Sequence, residues 1–203
     1  MLKINLLSIL CLLVFFAGAD VNSGYQVGDM VKDFKLKGVD GKMVSLSDYK
    51  DEKGVILIFD CNTCPFSKAY LERIKGLHTA YASKGYPVVA INPNDPGRSP
   101  GDSFDAMVSY AKDNGYEHAY LQDAEQAVAK AFGASNTPHV FVLENAKEGF
   151  KVAYIGAIDN NTKDAEAADK RYVEDAVDAL LKGKKPETSN TKAIGCTIKW
   201  KSV

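Results

Sequence analysis

Residues 54–74, GVILIFDCNTCPFSKAYLERI, decide the fold. The run from Val55 to Phe59 is continuously apolar, rich in Ile and too short for a helix, as expected of a strand buried on both faces. From Ser67 to Ser83 the residues Ala69, Tyr70, Ile74, Leu77 and Tyr81 recur at helical spacing, and Gly85 follows as a terminator. Cys61 and Cys64 therefore fall on a strand-to-helix turn, with Cys61 expected at the start of the helix.

Working outward, the stretch FKLKGVDGKMVSLSDY alternates apolar and polar residues around Asp40-Gly41, a strong turn dipeptide, and predicts an opening hairpin together with Val27 to Phe34. Pro87 to Asn92 reads as a second buried strand. A loop rich in Pro, Gly, Asn and Asp follows it, and Asp102 or Ser103 then caps a helix reaching Asn114. Further on come a strand at His118–Leu121, a helix at Ala124–Phe132, the strand HVFVL after Thr137-Pro138, the strand VAYIGAI and a last helix at Asp169–Leu181. Strands alternating with helices imply parallel pairing, and the two adjacent late strands imply an antiparallel edge. The expected class is α/β, a mixed central sheet flanked by helices with an N-terminal hairpin extension.

The composition, 46% hydrophobic and 25% charged over 203 residues, is that of a globular protein with one core. With 25 basic and 26 acidic side chains the net charge of -1 offers no field for nucleic acid or an anionic membrane. Partners must be chosen by a local site.

The first nineteen residues pair an early Lys3 with the apolar run Leu6 to Phe16 and end in Ala17-Gly18-Ala19, a signal-peptidase pattern that predicts cleavage before Asp20. The run is well short of the ~20 residues of a bilayer-spanning helix, so no stable membrane insertion is expected after cleavage. The expected division is a signal peptide at 1–19, a domain at 20–182 and a tail at 183–203. Cys11 would leave with the signal, and export to the periplasm or outside the cell puts Cys61, Cys64 and Cys196 in an oxidising setting. Three is an odd number, so one thiol lacks an internal partner at any moment. The tail starts polar and ends in the apolar cluster Ile194, Cys196, Ile198 and Trp200, which predicts that its end docks with Trp200 as a packing anchor.

A C-x-x-C pair can be a metal knuckle, a staple or a redox dithiol. Structural zinc takes four Cys or His ligands, and the other candidates, Cys196, His78, His118 and His139, are scattered along the chain. A disulfide between residues three apart closes too small a loop to add much stability. A helix start, by contrast, favours a thiolate, and a second thiol nearby can resolve a mixed disulfide. Asp60, Lys68 and Glu72 flank the pair, and charged residues at such a place are expected as solvated caps.

A buried strand, then CNTCP opening a helix, then Thr137-Pro138 ahead of another strand resembles the thioredoxin fold over nearly the whole chain after the signal. That resemblance implies a cis proline at Pro138, packed with Thr137 against the dithiol and helping to hold the substrate. The opening hairpin and the loop Pro93 to Gly101 further resemble the redoxin branch, which groups alkyl hydroperoxide reductase and thiol-specific antioxidant proteins with exported thiol-disulfide oxidoreductases. The ending AIGCTIKW is similar to the tail of one exported subgroup.

In the peroxidases of that branch the peroxide-reducing cysteine sits in P-x-x-x-T-x-x-C. Aligning it with Cys64 puts Leu57 at the proline and Cys61 at the threonine, so the peroxide-activating hydroxyl is missing. Thioredoxin has W-C-G-P-C where this chain has Asp60 and Asn62-Thr63.

The resemblance thus implies an exported oxidoreductase cycling a Cys61–Cys64 dithiol, with Cys61 as nucleophile, Cys64 as resolver and no cofactor beyond the redox-active disulfide. Its expected partners are a disulfide-containing protein or a small thiol or peroxide, and a redox partner protein. Two alternatives stand beside it: an antioxidant thiol peroxidase attacking through Cys64, and a copper-binding chaperone using Cys61, Cys64 and His139. Cys196 is either a third redox thiol or a small buried hydrophobe.

Overall fold

The computed structural model describes residues 24–202, so the expected signal peptide, its cleavage site and Cys11 lie outside the described residues. The elements in chain order are β1 (Met30–Val31), β2 (Lys35–Gly38), β3 (Met43–Ser45), β4 (Gly54–Phe59), α1 (Pro65–Tyr81), β5 (Val88–Asn92), α2 (Phe104–Asp113) and β6 (Ala119–Gln122). They continue with α3 (Ala127–Phe132), β7 (Asn136–Thr137), β8 (His139–Ala146), β9 (Gly149–Gly156), α4 (Tyr172–Leu181) and β10 (Cys196–Thr197).

Eight strands form one sheet in the order β1-β9-β8-β4-β5-β6-β2-β3. β4, β5 and β6 run parallel, because helical crossovers join them, whereas β8 and β9 are joined by a tight turn and pair antiparallel. β2 and β3 form the expected hairpin, with Leu36 opposite Val44 and Gly41 at φ 82° in the turn. This is the mixed α/β sheet that the sequence predicts, in a thioredoxin-like arrangement.

β4 is the spine of the molecule. All of its residues are buried, and their alternation divides the core. Leu57 and Phe59 point toward Phe132 of α3, Phe141 and Ile198 of the tail, while Ile56 and Ile58 point toward Tyr70 and Ile74 of α1 and Val173 and Val177 of α4. Each such side chain contributes about 1.5–3 kcal/mol of burial, which fixes the end of β4 and with it the cysteine turn. α1 is tied down at its other contact by Arg73, which donates to Asp159 at 2.6 Å and lies over the Tyr70 ring.

The structure settles the starts of three helices: α4 begins at Tyr172 rather than Asp169, and the other two are fixed by polar side chains. Ser103 alone caps α2, accepting from the Ala106 amide, while Asp102 turns inward. The helix after β6 begins at Ala127 rather than Ala124, because Asp123 accepts from the Ala129 amide and Gln126 adopts a left-handed φ of 59° ahead of the first turn.

Candidate active site

The cysteine turn sits where β4 ends. α1 begins at Pro65, a residue suited to the first helical position because it has no amide hydrogen to leave unpaired. Cys64, not Cys61, is therefore the N-cap residue, and this corrects the expected placement. Cys61 stands three residues earlier, off the helix and over the end of the strand. The reason is the proline: it sets the helix start one residue after the second cysteine rather than after the first.

Opposite the turn, the Thr137-Pro138 peptide bond is cis. Thr137 touches both thiols. Its hydroxyl lies 3.1 Å from Cys61 Sγ, and its carbonyl oxygen accepts from Cys64 Sγ at 3.1 Å. Ser67 Oγ approaches Cys61 Sγ at 3.9 Å from the first turn of α1. Both sulfurs are deeply enclosed, Cys61 at 2% and Cys64 at 3% exposure.

The electrostatics separate the two. The neighbouring Cys61 thiol is the largest influence favouring the Cys64 thiolate. Burial opposes it, and the Cys196 thiol and the Ser67 amide add to it, so the Cys64 thiol falls well below its ordinary value. The N-cap position supplies the same preference through the positive end of the helix. The neighbouring Cys64 raises Cys61 above the usual thiol range, and burial and the charges of Asp102 and Asp60 raise it further.

Cys196 also belongs to this cluster. The short strand β10 pairs antiparallel with β7, placing Cys196 directly across from Thr137. Ile198 behind it is buried in the core and Trp200 packs against the same cluster. Sequence reasoning singled out Thr137, Pro138 and all three cysteines, and the structure brings them together.

Two residues at the site were missed. Asp102 is fully buried and accepts five hydrogen bonds: from the Asn62 amide at 2.8 Å, Thr63 at 2.7 Å, Ser99 at 2.6 Å, Asn94 at 2.9 Å and Asn92 at 3.1 Å. Burial would raise its carboxyl, but the donations from Ser99, Thr63, Asn94 and Asn92 together hold it below the ordinary range. It fixes the Asn62-Thr63 dipeptide between the cysteines. The signal available in the sequence was the concentration of Asn, Ser and Asp at Asn92, Asn94, Ser99 and Asp102, which reads equally well as loop composition.

The second missed residue is Asp60. It is not a solvated cap: it is 2% exposed, and one carboxyl oxygen has no hydrogen-bond partner. Burial pushes its carboxyl up to about 7, against hydrogen bonds from Ser67 and the Cys61 amide. Nothing in the order Phe59-Asp60-Cys61 separates a buried from a capping aspartate. Lys68 and Glu72, by contrast, are exposed on α1, with Glu72 paired to Lys75.

His139 does not complete a metal cage. Its Nδ1 accepts from the Ser135 amide and its ring lies against Phe141, with centroids 4.7 Å apart. Among the described residues no three His, Cys, Asp or Glu side chains converge to hold a metal ion, which removes the geometric basis of the copper-chaperone alternative.

In comparisons with known proteins, the AhpC/TSA family matches residues 27–154. A hypothetical protein from Sinorhizobium meliloti 1021 is 33% identical with a TM-score of 0.81, over 89% of this chain and 98% of that one. An uncharacterized conserved protein from Geobacillus kaustophilus is 34% identical with a TM-score of 0.81, over 88% and 94%. The pneumococcal exposed lipoprotein thioredoxin Etrx1 from Streptococcus pneumoniae strain TIGR4 is 25% identical with a TM-score of 0.54, over 75% and 99%. No curated protein matches the chain.

Proposed function

Because the chain belongs to the AhpC/TSA family, a redoxin family of thioredoxin-like fold, we propose that it is a thiol-disulfide oxidoreductase cycling the Cys61–Cys64 pair between dithiol and disulfide. The observation that carries this reading is the position of Cys64: the N-cap thiol of α1, at the positive end of the helix, beside Cys61 and facing the cis Thr137-Pro138 bond. The Cys64 thiolate attacks a disulfide sulfur and expels the other sulfur as a thiolate. Cys61 then gives up its proton and attacks Cys64 Sγ, which releases the second thiol and leaves the Cys61–Cys64 disulfide. The Thr137 hydroxyl stays within reach of Cys61 Sγ through this exchange, while its carbonyl accepts from Cys64 only in the thiol form. The roles expected from the sequence are thus exchanged, with Cys64 as nucleophile and Cys61 as resolver.

Peroxide reduction at Cys64 is less well supported. Cleaving an O–O bond calls for donors aimed at the departing oxygen. Cys61 offers a thiol where the family's peroxidases have a hydroxyl. The three arginines are engaged away from the pair: Arg73 with Asp159, Arg98 with the Trp200 carbonyl and Arg171 with Glu174. The apolar N-terminal run supports export, so we place the activity in the periplasm or outside the cell, with a protein disulfide or small thiol as substrate and a separate redox partner.

Insulin-disulfide reduction tests the reading. Cys64→Ser should abolish turnover, and Cys61→Ser should stop it at a disulfide held by Cys64 that Cys61 would otherwise resolve. Undiminished turnover in Cys64→Ser would remove the assignment.

A further inference from the structure

Both sulfurs of the pair are buried, and among the described residues Cys196 is the one thiol that is not. A disulfide partner from outside has to meet a sulfur that it can touch. The structure supplies one on the tail, placed across a two-strand ladder from the residue that holds the pair.

The placement is built rather than incidental. Gly195 lies so close to the Thr137-Pro138 peptide that any side chain there would overlap the Thr137 carbonyl group, and its own carbonyl accepts from the Asn136 side chain at 2.9 Å. On the far side of Cys196, the Ile198 amide donates to the Ser135 carbonyl at 3.1 Å and the Lys199 amide donates to Asn94 at 2.9 Å. Asn94 in turn donates to Asp102, the carboxylate that fixes the Asn62-Thr63 turn. One buried carboxylate therefore sets the cysteine turn and, through Asn94, the strand that carries the third thiol.

We propose that Cys196 is the relay thiol of this enzyme: a tethered partner that takes the disulfide from the buried pair through a Cys64–Cys196 disulfide and exchanges it with thiols outside. This rests on the dithiol reading above and adds the route by which the pair communicates. In the first step Cys196 attacks Cys64 Sγ of the oxidised pair. The Cys61–Cys64 bond breaks, the Cys64–Cys196 bond forms, and Cys61 leaves carrying the proton that Cys196 gave up. In the second step an outside thiol, as its thiolate, attacks Cys196 Sγ and releases Cys64 as a thiolate. A second outside thiol then attacks the mixed disulfide on Cys196, which regenerates the Cys196 thiol and yields the partner disulfide. Two outside thiols are oxidised and the pair is reduced. Run backwards, the same steps reduce an outside disulfide.

The chemistry suits the geometry. Cys64 is the preferred leaving group in the second step, because a thiol held low in its titration departs fastest. In the reduced enzyme burial pushes the Cys196 thiol up to about 11, and the neighbouring Cys64 charge contributes. Once Cys64 is bound in a disulfide that charge is gone, so Cys196 gains nucleophilic character in the state in which it has to attack.

Two measurements test the relay. Cys61→Ser oxidised with diamide should yield a Cys64–Cys196 cross-link, identified by non-reducing peptide mapping. Oxidised Cys196→Ser, and Cys196→Ala beside it, should be re-reduced by glutathione about tenfold more slowly than the wild type or worse. Absence of the cross-link, or re-reduction of both Cys196 variants at the wild-type rate, would overturn the relay. Faster re-reduction would also overturn it, by marking the tail as a cover. Failure of the dithiol reading looks different: the oxidised wild type would then lack the Cys61–Cys64 disulfide itself.

Discussion

Asp60 and Asp102 are two buried carboxyls of opposite character within one site. Asp102 is saturated with donors and stays ionised, so its stabilising contribution is present above the ordinary carboxylate range and is lost only in stronger acid. Asp60 has one unpaired oxygen and is pushed up to about 7 by its burial. For a carboxyl raised on folding, the unfolded chain releases its proton first. The stability due to neutral Asp60 is therefore complete below about pH 3.9, declines as the pH rises to about 7, and is level beyond. Asp60→Asn keeps the neutral shape and removes the titration. In urea unfolding the variant should match the wild type at about pH 4 and exceed it by about 2–4 kcal/mol at about pH 8. A difference that does not change with pH would show that Asp60 is ionised in the fold at no cost. Neither role was legible in the sequence, because burial of a polar residue is decided by what packs over it, which the identity of its neighbours in the chain does not give.

At the scale of elements, long segments declared themselves and short ones did not. The apolar run of β4 and the helical spacing of α1 read directly, since each buries a face with a period of its own. The start of α1 did not, although Pro65 was in view: a proline at the first helical position moves the N-cap to Cys64, the basis on which the proposed mechanism gives Cys64 the attacking role. β7 and β10 have two residues each, too few for any alternation, and their pairing rests on contact between chain segments about sixty positions apart. The apolar cluster of the tail foretold docking but not its register. Gly195→Val should undo that register, since its side chain would drive the tail from the Thr137 edge. Hydrogen exchange at the Ile198 amide, which donates to Ser135, should accelerate about tenfold or more in that variant. Unchanged protection would mean that the tail is held without the Gly195 approach.

On the scale of the whole molecule, the sheet serves to bring three distant segments to one point: the end of β4, the cis Thr137-Pro138 bond and the tail strand. The α/β class, the hairpin extension and the cysteine corner all follow from local patterns that agree with one another, which is why they were readable. The order of strands and the convergence of Asn92, Asn94, Ser99 and Asp102 beneath the corner depend on packing between segments, and no local pattern carries that. The functional claim rests on the consequence of this convergence, an attacking thiolate at Cys64 with Cys61 as its proton-bearing neighbour. Thiolate absorbance in the ultraviolet, followed against pH for the wild type, Cys61→Ser, Cys64→Ser and Cys196→Ser, tests it most directly. A thiolate step well below neutral pH should appear in the wild type, vanish in Cys64→Ser and persist in Cys196→Ser. A low step that survives in Cys64→Ser and disappears in Cys61→Ser would contradict the assignment.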